Sequence, residues 1–133
     1  MLRFKFSKLV RDKIVEHQIN SGAKPKYRKL DKTSHARELI NKIIEETREI
    51  PYDKPAEAGA EIADVQQAID DLVSILGLKS SDIAIEQKDK LSKNGGFEEG
   101  IYIDYVEIDE GDKWVEYYRK NSDSCLLYTS RCV

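Results

Sequence analysis

This 133-residue chain has little cysteine, no long apolar run and no surplus of positive charge. Cys125 and Cys132 are its two cysteines, and both come late. That pattern makes neither a disulfide framework nor a zinc site of known spacing. Uninterrupted apolar runs reach only a few residues, too short to span a bilayer. The opening MLRFKFSKLVRDK is charged throughout and lacks the apolar segment of a signal peptide, so the cytoplasm is the default compartment. A net charge of −3 argues against a nucleic-acid-backbone binder, which would show a basic face. No repeat of fixed period and no low-complexity stretch interrupts the chain.

What is present is charge and helical periodicity. Apolar residues make up 40% and charged residues 35%, the composition of a small, strongly helical domain with one core. Ser7 is placed to cap a first helix, KLVRDKIVEHQI, closed by Asn20, Ser21 and Gly22. Leu9, Val10 and Ile14 face inward on it. A basic connector, residues 23–32, follows. A second helix starts near Thr33–Ser34 with Ser34 as cap, and Pro51 stops it near Ile50. His35, in its first turn, has no partner nearby in sequence and reads as a surface residue. A third helix runs from about Ala56 to Leu76 and ends at Gly77. Gly59 inside it implies either a later start or a close neighbour. Ser80 or Ser81 opens a fourth helix that ends at Asn94–Gly95–Gly96. Beyond it, the alternation in Ile101, Ile103, Tyr105 and in WVEYY predicts a β-hairpin turning at Glu110–Gly111. Residues 1–120 form one domain on this reading, mainly α with a C-terminal hairpin. From Asn121 the sequence NSDSCLLYTSRCV has no clear pattern and reads as foreign to the domain, the kind of stretch a cloning or sequencing junction leaves.

The chemistry-bearing pattern lies in KIIEETREI and AEIADVQQAIDDL. Each helix carries acids three residues apart, Glu46 with Glu49 and Glu61 with Asp64, and residues at that spacing are neighbours on a helix surface. On a wheel of about 100° per residue, Glu46 and Glu61 fall at the edge of the apolar stripe. The stripes are Leu39, Ile40, Ile43, Ile44, Ile50 and Ile62, Val65, Ile69, Leu72, Val73, Leu76. Antiparallel packing through them brings four carboxylates to one rim of the seam, with Asp71 able to extend the cluster and Asp70 on the solvent side. Clustered carboxylates repel and are costly to bury, and the usual neutraliser of an oxygen-only set is Mg²⁺ or Mn²⁺. The spacing also admits a plain alternative, a solvated polar face; its repetition on successive helices favours the metal. The basic start of the first helix, Lys8, Arg11 and Lys13, is either solvated or a set of phosphate-binding groups.

EETRE at 45–49 followed by EIAD at 61–64 resembles the EExxE…ExxD signature of the all-α NTP pyrophosphatases, the MazG-like superfamily. KLVRDKI at 8–14 and NGGFEEGIY at 94–102 resemble its small phosphoribosyl-ATP pyrophosphohydrolase-like branch, described as house-cleaning nucleotide hydrolases. The resemblance covers roughly residues 7–103 and implies a four-helix bundle completed by dimerisation, as a homodimer or dimer of dimers. It implies hydrolysis of a nucleoside triphosphate or related nucleotide between its α- and β-phosphates. Glu46, Glu49, Glu61 and Asp64 match the family's Mg²⁺ ligands, with Mn²⁺ a possible substitute, and Glu45 matches a residue that orients a ligand or activates water. Lys8, Arg11, Lys13, Lys88 and Lys93 are candidates for the phosphates, and Asn94 and Phe97 for the base. The gap between Glu49 and Glu61 is short for the superfamily and demands a tight turn at Pro51–Pro55. A non-enzymatic helical module that binds Mg²⁺ or nucleotide is the competing class.

Overall fold

A computed structural model of the chain describes residues 1–121; most of the segment expected to be foreign lies outside the described residues. The described part is mainly helical, with α1 (Ile14–Asn20), α2 (Lys32–Arg48), α3 (Pro55–Ile75), α4 (Ser80–Asn94) and α5 (Val115–Lys120). Two compact units divide it, one spanning Met1–Gly95 and one beginning at Gly96.

The first unit is organised by α2 and α3, which pack on each other. A connection of residues 49–54 joins them, short enough to force an antiparallel hairpin. Pro51 ends the first helix as expected, and Pro55 starts the second at a position where its missing N–H costs nothing. Leu39, Ala58 and Ala68 are the buried apolar residues; small alanines let the backbones approach. The stripes are wider than their mutual contact. Ile43, Val65, Leu72 and Val73 are half-buried, whereas Ile40, Ile44, Ile62, Ile69 and Leu76 stay between 41% and 51% exposed. No helix among the described residues is long and apolar enough to cross a membrane.

Helix ends follow local chemistry. Asp31, not Ser34, caps α2: its carboxylate accepts the Ser34 N–H at 2.8 Å. That bond draws the Asp31 carboxyl below its ordinary range. Aspartate adds charge at the positive helix end, an advantage serine lacks. Both α1 and α3 close on glycine. Gly22 (φ 91°) and Gly77 (φ 73°) take the left-handed conformation, while Ala23 and Leu78 donate back to Gln18 and Val73 at 2.9 and 3.0 Å.

Three expectations change. The first helix begins at Ile14, not after Ser7; Ser7 has φ 46°, and residues 8–13 are non-helical. A helix of under two turns is marginal alone, and here Lys8 and Arg11 are instead engaged with acids on α2 and α3. Gly59 has no close neighbour and does not delay the start of α3: a methyl group added there meets nothing within 4 Å. In the second unit no strand occurs among the described residues. The WVEYY segment expected as a strand enters α5, started by Asp112 accepting the Trp114 N–H at 2.8 Å. Trp114 and Tyr117, three apart, then meet edge-to-face at 5.3 Å.

Gly59→Ala removes backbone entropy from the unfolded chain and adds an unobstructed methyl. It is expected to stabilise the protein by about 1 kcal/mol, read as a higher thermal midpoint; an unchanged or lower midpoint contradicts the open environment of Gly59.

Candidate metal centre

The α2–α3 hairpin places Glu46 near the end of one helix and Glu61 and Asp64 in the early turns of the next. One carboxylate oxygen from each lies within 4.8 Å of the other two. Glu46 is the buried polar residue of this unit, 7% exposed; Glu61 and Asp64 are half-buried. The donors are all hard oxygens, the set suited to a hard divalent cation. The two-helix spacing thus brings together three of the four acids expected. Glu49 is exposed at the cap of α2, where the helix ends, and lies outside the trio. It still contributes to the negative field at Glu61.

Two members of the trio are met by cations. Lys42 donates to Glu46 at 3.0 Å, and Arg11 pairs with Asp64. Glu61, facing Glu46, has its carboxyl pushed above the ordinary range, first by a hydrogen bond with Glu46 and then by burial and the neighbouring charges. Lys42 is only one-fifth exposed. Burial opposes its charge, but the carboxylates of Glu46 and Glu45 outweigh burial and raise its pKa. The Arg11 guanidinium is likewise held charged by Asp64.

Glu45, adjacent on α2, sits beside the trio. Its Oε1 accepts from Lys8 at 3.2 Å and from Lys42 at 3.4 Å. Burial pushes its carboxyl up; the hydrogen bond from Lys8 and the charge of Lys42 overcome that and leave it below the ordinary range.

Of the expected basic groups, Lys8 and Arg11 reach the acids. Among the described residues no ion pair joins Lys13, Lys88 or Lys93 to them. Lys13 caps α1, while Lys88 and Lys93 lie on α4, which carries no buried residue. Asn94 ends α4 in the first unit and Phe97, 99% exposed, opens the second. Lys42 is the residue sequence reasoning missed. Its signal was present: it stands three and four positions before Glu45 and Glu46, the spacing at which helical side chains pair.

Comparison with protein-family models, with curated proteins and with solved structures finds no match to this chain.

Because the native state holds a proton on Glu61 more tightly than the unfolded chain does, stability falls as pH rises through the raised Glu61 range. Glu61→Gln removes that repulsion. The variant is expected to unfold at a higher temperature than the wild type at pH 7 without metal, and the advantage shrinks as pH falls to where Glu61 is already protonated. A variant less stable at pH 7 contradicts the Glu46–Glu61 repulsion.

Proposed function

We propose that the chain is a Mg²⁺-dependent nucleotide pyrophosphohydrolase, acting on a nucleoside triphosphate or a phosphoribosyl-ATP-like nucleotide to give the monophosphate and pyrophosphate. The observation that carries this is the convergence of Glu46, Glu61 and Asp64, with two cations from a separate segment at its rim. The short motifs at 8–14, 45–49, 61–64 and 94–102 support the same MazG-like reading. The cytoplasm and a house-cleaning role belong with it.

Breaking a phosphoanhydride depends on positioning and charge neutralisation more than on covalent chemistry. Glu46, Glu61 and Asp64 would hold the cation; Glu49, exposed at the end of α2, is the fourth acid proposed to join them. A bound Mg²⁺ supplies neutralisation of phosphate charge and a more acidic water. Water oxygen forms a bond to the α-phosphorus, the bridging bond to the β-phosphate breaks, and pyrophosphate departs with the electron pair. The water's proton passes to Glu45, which Lys8 leaves for the substrate while Lys42 stays beside it. Lys8, Arg11 and Lys13 bind the polyphosphate; Lys88 and Lys93 add charge, and Asn94 contacts the base. Lys42 remains paired with Glu46 and keeps it aimed.

A second copy of the chain completes the bundle. The open line Ile62, Ile69 on α3 and Leu76 at its C-cap, spaced seven apart, with Ile40 and Ile44 on α2, is the surface it covers. Light scattering is expected to give at least twice the 15.3 kDa chain mass, and Ile44→Glu with Ile69→Glu to reduce it to one chain; a wild type already at one chain mass overturns the dimer.

Glu46→Gln and Asp64→Asn are each expected to cut Mg²⁺-dependent pyrophosphate release by about 100-fold or more while circular dichroism stays helical. Full activity in both variants removes the metal centre from the mechanism. Tight nucleotide binding by the wild type without turnover identifies the chain as a binding module instead.

A further inference from the structure

Residues 1–13 precede the first helix, and all are exposed except Leu9 and Val10, which are partly buried. The long-range ion pairs of this segment go to two different helices. Lys8 pairs with Glu45 on α2, and Arg11 pairs with Asp64 on α3. These residues lie 37 and 53 positions away in sequence. The segment therefore crosses the seam of the hairpin at the acidic cluster, with Lys8 and Arg11 paired to the acids and the partly buried Leu9 and Val10 between them. Exposed ion pairs of this kind contribute little individually, so the two cations are easily displaced from the acids. Ser7, at φ 46°, is the point where the backbone leaves ordinary conformations just before the crossing.

Asp64 is both a member of the metal trio and the partner of Arg11. A guanidinium on that carboxylate cancels the charge that attracts a cation and stands as a like charge beside it. Arg11 and a divalent cation are thus competitors for one group. The competition extends to Lys8, which shares the segment and occupies Glu45.

Resting on the metal reading above, we infer that residues 7–13 form an electrostatic strap: Lys8 and Arg11 act as built-in counter-ions that close the acidic centre in the metal-free chain and leave it when a divalent cation enters. The strap sets the cation affinity below what the three carboxylates alone would give, because binding is reduced by the fraction of molecules that are closed. It also delivers the same two cations, once released, to whatever anion accompanies the metal. Strap release and metal binding are then one coupled event, and each weakens the barrier to the other.

Two measurements test it on the full chain. The first is Mg²⁺ affinity by calorimetry for the wild type, Arg11→Gln and Lys8→Gln/Arg11→Gln, with circular dichroism to check the fold. Arg11→Gln is expected to bind Mg²⁺ about threefold or more tighter than the wild type, and the double variant at least as tightly. The second uses a nitroxide on Lys5→Cys, in a chain with Cys125 and Cys132 replaced by serine. Its spectrum is expected to sharpen on adding Mg²⁺, and to be sharp without Mg²⁺ in the double variant. Equal Mg²⁺ affinity in all three chains, or a label indifferent to Mg²⁺ while calorimetry shows binding, overturns the strap and leaves the metal centre standing. No Mg²⁺ binding by any of them overturns both.

Discussion

Three carboxylates held within 4.8 Å by two helices are the constraint on which the rest of this unit depends. Such a cluster cannot persist as free charge in a half-buried seam. Each acid is met in a different way: Glu46 by a lysine one helical turn back, Asp64 by an arginine from a remote segment, and Glu61 by a raised affinity for its own proton. The position of the N-terminal segment follows from this, since its long-range ion pairs are the ones to Glu45 and Asp64. So does the half-buried Lys42, whose charge would be expensive anywhere without a carboxylate beside it.

The hairpin itself is modestly stabilised by its own core. Leu39, Ala58 and Ala68 are a small set of buried apolar residues, while isoleucines on both helices remain open. Burying a large aliphatic side chain is worth roughly 1.5–3 kcal/mol, so leaving Ile40, Ile44, Ile62 and Ile69 half-covered forgoes a large share of the available stabilisation. A second copy supplies the missing surface in the proposed assembly. The fourth helix makes the same point: fifteen residues with none buried are close to the limit at which a helix holds alone in water.

Much of this was legible in the residues. Pro51 and the glycines at 22 and 77 mark ends that occur where they should, because proline lacks a donor and left-handed closure favours glycine. The spacing of Glu46, Glu61 and Asp64 against the apolar stripes carried the cluster. Glu49, the cap residue of α2, is exposed and lies outside the trio, although the spacing that pairs it with Glu46 is the same as that of Glu61 with Asp64. The first turns expected after Ser7 do not form: Ser7 takes φ 46°, and Lys8 and Arg11 meet remote acids that no local pattern encodes. The WVEYY segment misled because alternation and an aromatic pair three apart coexist in it, and without a partner strand the helical contact between Trp114 and Tyr117 decides.

The central claim is that these carboxylates share one cation. Anomalous diffraction from crystals grown with Mn²⁺, recorded at the manganese edge, addresses it directly. The account predicts a peak bonded to Glu46, Glu61 and Asp64 together, with Arg11 withdrawn from Asp64. Density with no peak among those three residues, and Arg11 still paired to Asp64 at saturating Mn²⁺, would contradict it.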